Sequence, residues 1–441
     1  MQKEKIIVGL DIGTTKICVI VGKKNEYNKL EILGIGKAVS DGVVRGMVMN
    51  IDKTVTAINH ALAEAENQAG IDIGQVNVGI AGHHIKSSTH HGSMMKDAND
   101  GEIGVEDVNR LVNDMYKIVT PPGNDIIHVM PLDYTVDYEP GIKDPVGMVG
   151  RRLEADFHVI TAHTSAIANI NKCVKRSGVS VREGLAIDNL ILEPIASSLS
   201  VLSEEDKEAG VVLVDIGGGT TDVAIFYDGI IRHTAVIPFG GNIITSDIKE
   251  GLAVMQSQAE ALKVRFGKAI ADEAKENEII SIPGLRNRPP REISVKNLAS
   301  IIQARMEDII ELVYDEIVRS GYERKLAAGM IITGGGSQLQ HVKQLFEYKT
   351  GIDAHIGIPN EHLGKCKVEE VKSPLYATGV GLVLAGFRAL DDRDNQYAEF
   401  EKPQAGNKVV RKDVGRESFK NMMMKVKGLL LDEDLHDNDE Y

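Results

Sequence analysis

Two stretches of this chain carry nearly the same message. Residues 6 to 18 read IIVGLDIGTTKIC, and residues 211 to 226 read VVLVDIGGGTTDVAIF. In each, an apolar run ends in aspartate, a glycine–threonine turn follows, and a second apolar run begins. That pattern predicts a β-hairpin with an unusually polar tip. Glycines at the tip remove side chains, so a ligand can approach backbone N–H groups closely. Consecutive N–H groups make an anion-binding hollow, to which threonine hydroxyls add donors. An aspartate beside phosphates is unfavourable unless a cation lies between, so Asp11 and Asp215 point to Mg²⁺ held through its waters. Lys16 adds a positive charge beside the first tip. One such turn would be an ordinary tight hairpin. Two copies predict two related halves, each offering a hairpin to one nucleotide between them. Neither G-x-x-x-x-G-K-[ST] nor G-x-G-x-x-G occurs, so the phosphate site is expected from facing hairpins and not from one loop on a helix.

The rest of the chain fits a large soluble protein. Its 441 residues call for two or more domains. A net charge of −14 argues against nucleic acid as a partner. Cys18, Cys173 and Cys366 are scattered, which predicts a reducing cytosol and no disulfide framework. No apolar run reaches the length of about 18 residues that a spanning helix needs, so membrane contact is expected to be peripheral.

Strands are predicted at IIVGLDIG, KICVIVGK, LEILGIGKAV and QVNVGIAG. A helix is expected after Asp52 as N-cap, with Val55, Ile58, Leu62 and Ala65 on one face and Gly70 as its stop. Residues 86 to 161 look like a small α+β unit inserted in a larger domain. It holds one helix over EDVNRLVNDMYKIV and strands at IIHVMPLDYTVDY and LEADFHVITA. Beyond it, IDNLILEPIASSLSVL is read as a helix carrying a proline. Helices are predicted over NIITSDIKEGLAV, SQAEALKVRFGKAI and the stretch from Ser294 to Gly321. A strand at MIIT runs into Gly334, Gly335, Gly336 and Ser337 and then a helix. Those glycines would let a flat ring lie on the backbone. Glu260 and Lys263, three apart on one helical face, suit a ribose or adenine edge, although alone that spacing makes an ion pair. The paired histidines at 83–84 and 90–91 lack a carboxylate or cysteine cluster and are read as loop residues, not metal ligands. The basic RNRPPR, 286 to 291, is read as a solvated loop.

The order DIGTTK, DIGGGTTD, GGGS resembles the actin-like ATPase superfamily. Within it, GLDIGTTKIC, EPIASSL, GGNIITSDI and the insertion before FHVITA resemble the FtsA family of bacterial cell-division proteins. The resemblance spans residues 5 to 390. It implies an α/β, two-lobed actin-like fold with a small subdomain inserted in the first lobe and a C-terminal amphipathic helix. The implied subdomains are 1–85, 162–193 and 374–390 (first-lobe base), 86–161 (insert), 194–239 and 324–373 (second-lobe base), and 240–323 (second-lobe upper part). It implies ATP and Mg²⁺ as cofactors, with weak or no hydrolysis. The phosphate role falls on Gly13, Thr14, Thr15, Lys16, Gly217, Gly218, Gly219, Thr220 and Thr221, and the metal role on Asp11 and Asp215. The adenosine role falls on Gly334 to Ser337 with Glu260 and Lys263. Glu193 aligns with a glutamate near the attacking water in hydrolytic relatives. The implied partners are the tubulin-like division protein FtsZ, through its C-terminal tail on the subdomain containing Asn242 to Arg319, further copies of the chain in filaments, and other division proteins at the septum. The alternatives on the same fold are a small-molecule kinase and a pilus-assembly protein.

The end of the chain has its own reading. Residues 391–415 are charged and aperiodic, as in a flexible linker. In 416–431, Phe419, Met422, Met423, Val426, Leu429 and Leu430 share one helical face, with Lys420, Lys425 and Lys427 elsewhere. Such a stripe suits an anionic membrane, here the cytoplasmic face of the inner membrane, and each lysine near it adds about 1 kcal/mol. The acidic ending, 432–441, opposes that attraction.

Overall fold

The computed structural model describes residues 5–96, 101–178, 184–282, 289–359, 362–364 and 368–401, the last eight by backbone alone. Residues 1–390 form one unit, and the second, 391–441, is described only to residue 401.

The first half opens with an antiparallel meander of β1 (Ile6–Ile12), β2 (Lys16–Lys24) and β3 (Leu30–Val39). A short hairpin, β4 (Val43–Val44) and β5 (Met47–Val48), leads into α1 (Ile51–Ala69), and β6 (Gln75–Ile80) returns parallel to β1. The chain then leaves for β7 (Lys86–Met95), α2 (Val105–Met115), β8 (Asn124–Val136), β9 (Glu139–Ile142) and β10 (Arg152–His163). These strands make a separate sheet in the order β7–β10–β8–β9, with Leu111 and Met115 of α2 packed in one cluster with Phe157 and Val159 of β10. Helix α3 (Thr164–Lys175) brings the chain back, and β11 (Ala186–Leu192) joins β6.

The second half repeats the plan. After α4 (Glu193–Val201) and α5 (Glu204–Ala209) come the meander β12 (Val211–Ile216), β13 (Thr221–Tyr227) and β14 (Ile230–Ile237). Helices α6 (Gly241–Leu252) and α7 (Gln256–Phe266), a hairpin of β15 (Ile279–Ile282) and β16 (Arg291–Ser294), and the long α8 (Val295–Ser320) form the crossover. Strand β17 (Met330–Thr333) returns parallel to β12, and α9 (Val342–Thr350) leads to β18 (Ala354–Ile356). The two sheets therefore run β3–β2–β1–β6–β11 and β14–β13–β12–β17–β18, three antiparallel strands and then two parallel ones. The repeated motif marks a repeated fold. Its crossover helix is fixed by burial, since Leu298, Ile302, Met306, Ile309, Val313 and Ile317 of α8 are wholly buried at helical spacing. Each such side chain contributes about 1.5–3 kcal/mol. The last described element is α10 (Ala377–Glu401).

The inserted sheet rests on β14. Arg232 pairs with Asp133, Ser87 Oγ donates to the Thr234 carbonyl at 3.0 Å, and His158 Nε2 meets Thr234 Oγ1 at 2.9 Å.

Several sequence expectations are corrected. IDNLILEPIASSLSVL begins as strand β11, and only from Glu193 is it helix. Pro194 sits in the first turn, where its missing N–H costs nothing, so it marks a helix start. The N-cap of α1 is Asn50, which accepts the Lys53 N–H at 3.0 Å; Asp52 lies in the first turn, where its charge meets the positive end of the helix. His90 and His91 lie on β7, not in a loop; this sheet-edge strand is polar and so escaped the search for apolar alternation. Gly335–Gln338 form a 3₁₀ turn, and the helix expected after the glycines, α9, starts only at Val342. The expected linker is helical through Glu401. The remainder of that linker, and the stripe of Phe419, Met422, Met423, Val426, Leu429 and Leu430 with Lys420, Lys425 and Lys427, lie outside the described residues, as does part of RNRPPR.

Candidate functional site

The ladders decide where the acids go. Asp11 pairs with Cys18 near the end of β1, and Asp215 pairs with Asp222 at the matching point of the second hairpin. The two tips touch. A Cβ on Gly218 would lie 1.9 Å from Thr15 Oγ1, and one on Gly219 would lie 2.6 Å from Thr14 Oγ1. The second tip is closed by the Gly217 N–H donating to the Thr220 carbonyl at 2.9 Å. Its hydroxyls are already engaged: Thr221 Oγ1 donates to the Phe239 carbonyl at 2.8 Å, and Thr220 Oγ1 to Asp222 at 3.2 Å. Thr14 Oγ1 accepts the Gly46 N–H at 3.0 Å and keeps its own proton for another partner.

Strand β17 adds the third piece, because its parallel register sets Thr333 beside Asp215. Gly334 follows at φ +81, where a Cβ would stand 2.3 Å from Asp215 Oδ1 and 2.6 Å from the Ile216 carbonyl. A Cβ on Gly336 would meet Ile216 Cγ2 at 2.3 Å. Two of the three glycines are therefore taken up by packing on the second hairpin. Gly335 meets only Leu375 Cδ1, at 3.1 Å, so the bare backbone expected of all three is left to this one. Ser337 is buried, and its Oγ donates to the Gly334 carbonyl at 2.8 Å.

Asp215 accepts from Ser197 Oγ at 2.6 Å and from Thr378 Oγ1 at 3.2 Å. Burial raises its carboxyl above the ordinary range, and those hydroxyls draw it back. Burial pushes Asp11 up to about 6, against the pull of Lys16 and with the repulsion of Asp215. Asp222 goes up to about 8 through burial and the charge of Asp215, and its Oδ1 is buried with no hydrogen-bond partner. Glu193, the first residue of α4, lies over Gly79 of β6 and is raised well above its ordinary value by burial, then by Asp11, Asp222 and Asp215. Four carboxyl groups thus repel one another around one spot. Among the described residues no three His, Cys, Asp or Glu side chains converge tightly enough to ligate a metal directly. Four carboxyl groups gathered at one spot fit a cation that keeps its water shell.

Lys16 stands at the edge of this group, its Nζ donating to the Leu375 carbonyl at 2.8 Å and lying 3.7 Å from the Tyr376 ring centroid. Glu260 and Lys263 do form the ion pair their spacing allows, at 2.8 Å. Lys263 also donates to the Gly241 carbonyl and to Thr245 Oγ1, both at 2.8 Å, which ties α7 to the start of α6 just past the second hairpin. Asp222 is the residue the sequence reading missed. Its signal was the last letter of DIGGGTTD, paired in register with the first.

Duplicated five-stranded sheets whose hairpin tips meet over buried aspartates define the actin-like class. In agreement, the solved PilM–PilN type IV pilus biogenesis complex matches with a TM-score of 0.62 at 16% identity, covering 86% of this chain and 98% of that one. The ethanolamine utilization protein EutJ from Carboxydothermus hydrogenoformans matches with a TM-score of 0.50 at 16% identity, over 87% of this chain and 90% of that one. The family model for cell division protein FtsA matches residues 212–381, and the model for the SHS2 domain inserted in FtsA matches 82–161. FtsA of Pseudomonas aeruginosa is 42% identical over 89% of this chain and 92% of its own length. The FtsA proteins of Neisseria meningitidis and Escherichia coli are 38% and 35% identical, over 87% and 90% of this chain and 91% and 93% of theirs. The chain belongs to the FtsA family of cell-division proteins.

Proposed function

We propose that the chain binds ATP with Mg²⁺ between its two hairpins, assembles into filaments with its own copies, and tethers the tubulin-like division protein FtsZ to the cytoplasmic face of the cell membrane. The observation that carries the nucleotide reading is the meeting of the two tips over the buried carboxylates, with Gly334 wedged beside Asp215. Backbone N–H groups of Gly13 to Thr15 and Gly218 to Thr220 would hold the phosphates, the Gly217 N–H being used within the tip, with Lys16 supplying charge. Gly335 would carry the flat face of the base, with Glu260 and Lys263 near the sugar. A hydrated Mg²⁺ would neutralise phosphates and carboxylates together. Asp11 and Asp215 would orient its waters, with Asp222 joining them, and Glu193 would accept a hydrogen bond from the water that attacks. The crowding of these acids makes the site costly without a cation, so nucleotide and metal are expected to bind together. The subdomain division at 85, 161, 193, 239, 323 and 373 belongs to the same proposal.

Membrane attachment rests on the amphipathic pattern of 416–431 and on avidity, since one short helix binds reversibly and a filament presents many. The experiment is co-sedimentation with anionic liposomes, with and without ATP–Mg²⁺, for the full chain and for a chain ending before Arg416. Loss of binding on truncation, with ATP-dependent assembly of the full chain on vesicles, supports the tether. Equal sedimentation of the two proteins removes it. No helix among the described residues is long and apolar enough to cross a membrane.

A further inference from the structure

We infer that Arg45 grips the terminal phosphate of a nucleoside triphosphate, which rests on the nucleotide reading above. Arg45 and Gly46 form the two-residue turn between β4 and β5, with φ of 50° and 76°. Glycine enters that region freely, whereas arginine does so under strain, and strained residues cluster where a ligand is held. The turn is locked against both phosphate hairpins. The Gly46 N–H donates to Thr14 Oγ1, and a Cβ on Gly219 would lie 2.9 Å from Arg45 Cα and 3.0 Å from its nitrogen. The Arg45 backbone is therefore pinned at the contact of the two tips, while its side chain is exposed.

A cleft of about 170 Å³ opens there, lined by Thr14, Arg45, Gly218, Gly219, Asn242 and Ser246 among others. This chain carries 64 acidic and 50 basic residues, yet the lining holds no carboxylate and one cation, Arg45. The first N–H groups of α6, which open on the same cleft, are already used: Gly241 donates to Gly217 O at 2.9 Å, Asn242 to Gly218 O at 2.8 Å, and Ile243 to Gly240 O at 3.2 Å. Positive charge for an anion in this cleft has to come from Arg45. A guanidinium presents two parallel donors that match phosphate oxygens, and its hold is charge-assisted. Because Arg45 is pinned where the two tips meet, it meets the terminal phosphate held between them, and its contact separates triphosphate from diphosphate.

The test is displacement of a fluorescent nucleotide by ATP or ADP, with Mg²⁺, from the full chain and from R45N and R45K. Asparagine tolerates the left-handed turn and removes the charge; lysine keeps the charge without the fork. R45N should weaken ATP roughly tenfold or more. It should leave ADP within about twofold and unfolding temperature unchanged, with R45K between the two proteins. R45N that binds ATP as the wild type does, or that weakens ATP and ADP equally, overturns the inference. A wild type that displaces with neither nucleotide fails earlier, at the nucleotide reading itself.

Discussion

Replacing Gly334 by alanine tests whether the third glycine run is part of the second hairpin's support. At φ +81 and ψ 176 the backbone is in a region essentially reserved for glycine, and an L-residue bears strain of about 1–3 kcal/mol there. The new methyl would also stand 2.3 Å from Asp215 Oδ1 and 2.6 Å from the Ile216 carbonyl, neither of which is the loose end of a long side chain. Either β17 parts from β12, or Asp215 swings away from Ser197 and Thr378. Overpacking of that kind typically costs about 1–3 kcal/mol, so Gly334→Ala should lose roughly 2–6 kcal/mol in all. The neighbouring Gly335→Ala is the control. Its φ is ordinary and its Cβ meets only Leu375 Cδ1 at 3.1 Å, a flexible end, so the loss should stay within about 1 kcal/mol. Urea unfolding of both variants reads the difference as a shift in midpoint. Nucleotide displacement completes the pair: Gly335→Ala should weaken binding while the fold holds, because its methyl would lie under the base. If the two variants unfold together, close to the wild type, the wedge beside Asp215 is wrong and the glycine run has no structural duty.

Other outcomes follow from charge and burial. Burial holds the imidazole of His158 down to about 4, against an ordinary 6.5. A depressed histidine gives stability that is complete above 6.5 and is lost as pH falls towards 4, about 2 kcal/mol of it by pH 5. Asp11 and Asp222, raised, gain stability over the same fall, so the readout is the wild-type pH dependence of the urea midpoint minus that of H158Q; a difference of zero refutes it. E193Q removes a carboxylate raised by burial and three like charges, so it should raise the midpoint at pH 7.5 and change nothing near pH 4. The same variant should bind ATP normally and slow any turnover at least about tenfold, and unchanged turnover would strip Glu193 of its role. R232A should free the insert from β14, costing roughly 1–3 kcal/mol; hydrogen exchange should rise in β8 and not in β1, and a uniform rise would mean general unfolding instead.

What the sequence revealed, it revealed through repetition and burial. Each DIG hairpin is flanked by apolar runs that had to be interior strands, and the second copy implied a second sheet of the same plan. The long stripe of α8 was legible for the same reason. Polar strands were not: KSSTHHGSMM forms β7 at a sheet edge, where solvent relaxes the demand for apolar alternation. LILEP read as helix because a short apolar run cannot tell strand from helix, and only the neighbouring β6 decides it.

The glycines show the limit most clearly. By sequence, all of those in GGGTT and GGGS could have been room for a ligand. In the fold, Gly218, Gly219, Gly334 and Gly336 are small because protein atoms press on them, and Gly335 keeps the most open face of its run. A glycine-rich motif therefore marks close approach without saying what approaches. Here much of the approach is hairpin to hairpin and strand to hairpin, so each half of the chain is held by the other through the tips themselves. A ligand seated at that contact touches both halves at once. It needs no further lever to change how they meet, which is the physical reason to look for nucleotide-dependent assembly in this chain.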